Sequence, residues 1–258
     1  MILINIVHDA IPPNVELKEK TRILYGEIKI ALHAKKSSLA TDDVIHRDEI
    51  VVDLSVISRR SSVFTAACNG QISRLRKQQN ETNSSTPIDY SKLVTSPDDY
   101  VIISGIPGSG KTTLVQTLLF KWATNQLWNE YEFVFVIYLR HLVRFKDQDG
   151  VTAERILSYF YPDYDWTDIR KTGNVLLILE GFDELFGKSK LRLKREDYDN
   201  YTQAIFDLFD PENPSLPFTR VVTSRPGSCP ILLETVLNKH HQCKIFFVAG
   251  FNEKSILR

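Results

Sequence analysis

The stretch Gly105-Ile-Pro-Gly-Ser-Gly-Lys111-Thr112 limits the possible folds of this chain more than any other. It fits G-x-x-x-x-G-K-[ST], the phosphate-binding P-loop or Walker A motif. The flanks fit as well. Tyr100–Ser104 before it is a short apolar run of buried-strand type, and Thr113–Trp122 after it carries apolar residues at helical spacing without Gly or Pro. Strand, glycine loop and helix are what a triphosphate needs. The glycines let the backbone turn its N–H groups inward, and a helix N-terminus adds an anion contact worth up to ~2 kcal/mol. The candidate binding residues are Gly105, Ile106, Pro107, Gly108, Ser109, Gly110, Lys111, Thr112 and Thr113. Lys111 is placed to neutralise the β- and γ-phosphates, and the Thr112 hydroxyl to ligate Mg²⁺. The expected cofactors are ATP or ADP with Mg²⁺.

From Tyr100 onward the pattern alternates. Strands are expected at Tyr100–Ser104, Phe133–Leu139, Val175–Glu180, Thr219–Ser224 and Lys244–Val248, with helices near Thr112–Gln126, Val151–Phe160, Asp197–Phe209 and Ile231–Lys239. This predicts the α/β fold of a P-loop NTPase, a mostly parallel sheet flanked by helices, over residues 98–258. A smaller, mainly helical extension precedes it over residues 1–70. There, Leu17, Lys20, Leu24, Ile28, Ala31 and Leu32 predict an amphipathic helix from Glu16 to Ala34, and Ile50–Ile57 reads as a strand. Residues 71–97, containing the polar run Arg74–Pro87, read as an exposed linker.

A P-loop alone does not say what happens to the phosphate. Asn174-Val-Leu-Leu-Ile-Leu-Glu-Gly-Phe-Asp-Glu-Leu185 adds that. An apolar strand delivers Glu180 to its carboxyl end, where ligands of open α/β sheets sit, and Asp183 and Glu184 follow. This is a Walker B pattern: Glu180 joins Thr112 at the metal, and Asp183 and Glu184 can orient or deprotonate a water. Thr223-Ser224-Arg225-Pro226 closes the next strand. Pro226 biases Arg225 towards an extended conformation, and a guanidinium there can distinguish ATP from ADP through the γ-phosphate. Arg140 and Arg144 are weaker candidates for the same face. The basic run Lys188–Arg195 reads as a solvated loop.

The charges balance, 32 basic against 32 acidic, so net field points to neither a nucleic acid nor a membrane partner. Cys68, Cys229 and Cys243 are odd in number and show no C-x-x-C spacing, as in a reducing compartment. His240-His241-x-Cys243 reads as a polar turn before a strand, not a metal site. The opening Met1–Val7 is too short for a signal-peptide core, and no apolar run reaches transmembrane length. The expected location is cytoplasmic.

Together these motifs resemble the NACHT family, the signalling P-loop NTPases of NOD-like receptors. The residues carrying the resemblance are Gly105–Thr113, the block Leu176–Leu185, and Val221-Val-Thr-Ser-Arg-Pro226. Phe247-Val-Ala-Gly-Phe-Asn252 looks like the family's "GF" segment, and Phe135–Arg140 is similar to its second strand. The resemblance implies a nucleotide-controlled switch in innate-immune signalling, in which exchange of ADP for ATP permits self-association and recruitment of a protein partner. It also implies an adenine contact near Pro87–Tyr90. The sequence departs from the family in two respects. Glu180 stands where the family usually has Asp, which predicts slow or absent hydrolysis. The chain stops at Arg258 without the winged-helix region, as expected of a fragment. Two other readings stay open: an actively hydrolysing ATPase or small-molecule kinase, and a nucleotide-independent scaffold.

Overall fold

A computed structural model describes residues 12–25, 27–29, 44–46, 53–56, 89–97, 99–185, 199–229, 232 and 243–250 of the protein. In chain order the regular elements are α1 (Pro13–Tyr25), β1 (Glu27–Lys29), β2 (Val44–His46), β3 (Asp53–Val56), β4 (Tyr100–Ser104), α2 (Lys111–Ala123), β5 (Phe133–Tyr138), α3 (Ala153–Phe160), α4 (Trp166–Thr172), β6 (Val175–Glu180), α5 (Asn200–Phe209), β7 (Thr219–Ser224) and β8 (Cys243–Gly250). The main sheet runs β3-β8-β4-β7-β6-β5. All its neighbours pair in parallel except β3, which lies antiparallel on β8.

The composition of the strands explains the sheet. Every residue of β4, β6 and β7 is buried. Continuously buried runs of this kind, apolar throughout most of β4 and β6, belong to parallel strands covered on both faces. The five strands expected from Tyr100 onward are the five parallel ones. Three of the helices, α3, α4 and α5, start where the sequence supplies a side-chain cap. Thr152 Oγ1 accepts from the Arg155 N–H at 3.1 Å to open α3, and Asp199 Oδ1 accepts from the Thr202 N–H at 2.7 Å to open α5. The short helix α4 has no counterpart in the sequence reading. It holds only two buried residues, Trp166 and Ile169, between an Asp165 cap and Gly173 at φ 72°.

The core holds large side chains with polar ends, a charged one among them. Trp122 is fully buried, and its Nε1–H donates to the Tyr131 carbonyl at 3.0 Å. Arg220 is 1% exposed. Its guanidinium donates to the carbonyl oxygens of Leu208, Leu216 and Phe218 at 2.8, 2.9 and 2.6 Å, tying the end of α5 to β7. At the β5 edge the Tyr161 hydroxyl accepts from the Val136 N–H at 2.9 Å and donates to the Val136 carbonyl at 2.8 Å. None of the helices among the described residues is long and apolar enough to cross a membrane.

The amino-terminal reading needs two corrections. The helix expected to reach Ala34 ends at Tyr25, and Glu27–Lys29 pairs with Val44–His46 as a two-stranded antiparallel sheet. The buried stripe is Leu17, Thr21 and Tyr25, whereas Leu24 is exposed. Gly26 is the stop signal that the apolar periodicity obscured. The end of the expected linker also holds two core residues among exposed ones. Leu93 and Val94 are buried in the core behind a 3₁₀ turn, Tyr90–Lys92, that Asp89 caps. The Asp99 carboxylate then gathers the Thr95 and Ser96 N–H groups and the Lys244 ammonium, at 2.6, 3.0 and 2.6 Å, fixing the entry to β4. Of the strand expected at Ile50–Ile57, residues 53–56 are described as β3. The polar run Arg74–Pro87, the loop Lys188–Arg195, His240 and His241 lie outside the described residues, as does most of the helix expected at Ile231–Lys239.

Candidate nucleotide-binding site

Parallel register brings the candidate residues to one edge. Ser104 pairs with Ser224, Leu179 with Val222, and Tyr138 with Glu180, so β4, β5, β6 and β7 end side by side. The P-loop leaves this edge at Gly105, whose N–H donates to the Ser224 carbonyl at 3.1 Å. It then folds tightly. Gly108 and Gly110 take φ of 75° and 92°, conformations that side chains disfavour. Gly105 is needed for a different reason: a Cβ there would lie 2.4 Å from Ser109 Oγ and 3.2 Å from the Val248 Cβ. The Ser109 N–H donates to the Ile106 carbonyl at 3.1 Å, and α2 begins at Lys111 with its amino terminus on the loop.

Lys111 Nζ donates to the Gly105 and Ile106 carbonyls at 2.7 and 3.2 Å, which lays the side chain along the loop. Burial lowers its pKa from the ordinary value. The Asp183 carboxylate opposes that shift, the Arg225 charge reinforces it, and Glu180 and Glu184 oppose it further. The ammonium is therefore poorly compensated, and a phosphate would meet that need.

Thr112 Oγ1 donates to Glu180 Oε1 at 2.6 Å, which joins the Walker A helix to the Walker B strand. Glu180 is 3% exposed, and burial raises its pKa against the pull of the Thr112 hydroxyl. Its Oε2 has no hydrogen-bond partner, nor has the buried Ser109 Oγ inside the loop. Two orphaned buried oxygens therefore flank Lys111 and Thr112. Such atoms are costly to leave unmet, and this donor set fits a nucleotide with Mg²⁺. Ser109 Oγ can donate to a phosphate. One hydroxyl and one carboxylate suffice for Mg²⁺, which keeps waters and phosphate oxygens as its other ligands. Among the described residues no group of three or more His, Cys, Asp and Glu is arranged as an all-protein metal site.

After Glu180 the chain turns at Gly181, φ 88°, into a 3₁₀ turn over Phe182–Glu184. The Gly181 N–H donates to Thr223 Oγ1 at 2.9 Å, and Phe182 is buried against Phe209. Asp183 faces β7: its Oδ2 pairs with Arg225 Nε at 2.5 Å, and its Oδ1 accepts from the Arg225 N–H at 3.1 Å. Glu184 is exposed beside Gly181. Thr113 follows in the first turn of α2, half-buried. Arg140 stands over the Tyr138 ring at 5.2 Å, and its charge lowers the pKa of Glu180, so it belongs to the rim. Arg144 instead covers the Tyr159 ring and donates to its hydroxyl. Of the adenine candidates, Asp89 and Tyr90 form the 3₁₀ turn before β4, while Pro87 and Ile88 lie outside the described residues. Sequence reasoning missed Thr223, which pins the turn after Glu180. Its only signal was a small hydroxyl residue two positions before Arg225.

A parallel sheet with Walker A and Walker B at one carboxyl edge defines a P-loop NTPase. The family model of the NACHT domain matches residues 99–258, more than half of the chain, and the chain belongs to that family. Similar proteins include human nucleotide-binding oligomerization domain-containing protein 2, 30% identical over 61% of this chain and 15% of that protein. Human NACHT, LRR and PYD domains-containing protein 2 is 28% identical over 38% of this chain and 9% of its own length. Human NACHT, LRR and PYD domains-containing protein 10 is 25% identical over 61% and 24%. The chain thus spans a quarter or less of the length of these relatives.

Proposed function

We propose that this chain is an ATP/ADP-binding module that acts as a nucleotide-dependent switch for self-association and signalling, of innate-immune receptor type, with slow or absent hydrolysis. The observation that carries the reading is the pair of orphaned oxygens, Ser109 Oγ and Glu180 Oε2, around Lys111 and Thr112. The name of one relative, which speaks of nucleotide binding and oligomerization, supports it. In this reading Lys111 and Ser109 hold the phosphates, and Thr112 and Glu180 hold Mg²⁺, which supplies charge neutralisation at the phosphate oxygens. Arg225 reports the γ-phosphate. Slow turnover follows from Glu180, whose Oε1 lies directly on the Thr112 hydroxyl. A cytoplasmic location accords with Cys229 and Cys243 standing outside any disulfide.

The exposed carboxylate of Glu184 favours a second reading, an actively hydrolysing ATPase in which Glu184 activates water. One experiment separates the two. Phosphate release from Mg-ATP is measured beside nucleotide retention, for the wild-type chain and Lys111→Ala. The switch predicts retention that falls by at least ~100-fold in the variant, the loss of two charge-assisted contacts, with turnover slow or absent in both. Brisk wild-type turnover lost in Lys111→Ala would establish the ATPase. A wild-type chain that retains no nucleotide would end both readings.

A further inference from the structure

We infer that Asp183 is a positioning residue: it aims the Arg225 guanidinium at the γ-phosphate and takes no part in activating water. The inference rests on the nucleotide-binding reading above and assigns the roles within that site. Both carboxylate oxygens of Asp183 are engaged by one residue, Oδ2 by Arg225 Nε at 2.5 Å and Oδ1 by the Arg225 N–H at 3.1 Å. The Asp183 side chain is 7% exposed, whereas that of Arg225 is 51% exposed. A general base needs a lone pair within reach of water. Asp183 presents Oδ2 to a cation and Oδ1 to a backbone N–H instead.

The geometry on the arginine side fits the same role. Gripping Nε leaves the two terminal nitrogens of Arg225 without a protein partner among the described residues, and half the side chain faces out. That is the fork suited to phosphate oxygens. The backbone is also held from behind, because the Arg225 carbonyl accepts from the Ser228 N–H at 3.0 Å and from Cys229 Sγ at 3.4 Å. Asp183 itself cannot swing away. Its 3₁₀ turn is fixed by the Gly181 N–H on Thr223 Oγ1 and by buried Phe182. An exposed arginine on its own is a flexible chain with much rotamer entropy. One pinned at Nε has most of that freedom removed before nucleotide arrives, the pre-organisation that strengthens a single contact. Glu184, one residue on and exposed, is left as the acid able to meet water.

The test is the ratio of ATP to ADP affinity, measured by equilibrium displacement on the full chain for Asp183→Ala, Asp183→Asn, Arg225→Ala and the Asp183→Ala/Arg225→Ala pair. Each single alanine variant is expected to lower the ratio by about 10- to 100-fold, the worth of one charge-assisted contact, with ADP affinity retained. The double variant should be no worse than Arg225→Ala alone, the signature of two residues acting as one. Asp183→Asn keeps the size and the acceptor for the Arg225 N–H but loses the ion pair. It should show the same fall in ratio even if the alanine variant does not fold. An unchanged ratio in Asp183→Asn, or multiplicative losses in the double variant, would overturn the inference while leaving nucleotide binding intact. A wild-type chain that binds neither nucleotide would overturn it together with the reading it rests on.

Discussion

Glu180→Asp is the substitution that most directly tests why this site should turn over slowly. In the wild-type chain Oε1 sits 2.6 Å from Thr112 Oγ1, an ordinary hydrogen bond between two groups that should both serve the metal. Aspartate withdraws the carboxylate by one carbon–carbon bond, about 1.5 Å, which opens the pair to about 4 Å and breaks the direct contact. That gap admits a bridging water or a cation with oxygen ligands at ~2.1 Å on either side. A misplacement of about 1 Å at a reacting centre costs on the order of 100-fold in rate. Relieving it should therefore raise turnover by about 10- to 100-fold. The assay is single-turnover phosphate release from Mg-ATP, with nucleotide retention measured on the same samples. Retention should hold while the rate climbs. Unchanged or slower release in a variant that still retains ATP would show that the extra methylene is no brake, and the cause of slow turnover would have to be sought at Glu184 or Arg225.

The pH dependence of stability should carry the mark of the same residue. Burial raises the Glu180 carboxyl from its ordinary 4.5; the Thr112 hydroxyl pulls it back, the Glu184 charge adds to the rise, and Arg140 and Lys111 oppose it. A folded-state pKa above the unfolded one gives stability that is fully present below 4.5 and is lost as pH rises through the folded value. Thermal melts of the nucleotide-free chain from about pH 4 to about pH 8 should show that loss. Glu180→Gln should flatten it, and an equally steep profile in the variant would assign the titration elsewhere. Arg220→Leu removes three buried hydrogen bonds and strands three carbonyl oxygens. It should cost about 3 kcal/mol or more, a fall in Tm of about 6–12 °C. A shift below ~2 °C would mean the carbonyls had found other donors.

The parts of this protein that were legible in the sequence are those whose cause is local. Gly108 and Gly110 announce positive φ at fixed spacing, and Val175–Leu179 is an apolar run that only a strand covered on both faces can use. Those features located Walker A, Walker B and the parallel strands without reference to anything distant. The relation of Asp183 to Arg225 is of another kind. The two lie 42 residues apart, and nothing in either local pattern says that one holds the other. Thr223 and Gly181 are joined in the same way. At the amino-terminal end the reading failed because a helical stripe was followed past Gly26, a residue type that signals a helix end more strongly than the apolar periodicity beyond it signals helix. Leu93 and Val94 were hidden by their neighbours: two apolar residues at the end of a polar stretch do not register as core until β4 is in place beside them.

The hydroxyl of Tyr161 has a consequence for how molecules of this kind can meet. β5 is the last strand of the sheet, and an edge strand offers unpaired backbone groups to any extended segment that arrives. At Val136 both groups, the N–H and the carbonyl, are already taken by one phenol oxygen. A visiting strand would find the Val136 rungs occupied and would have to displace a half-buried ring to add itself. At the opposite margin β8 is covered by a short strand of reversed direction. At the β5 margin the Tyr161 contact disfavours extension of the sheet by another strand, with its open-ended growth into fibres.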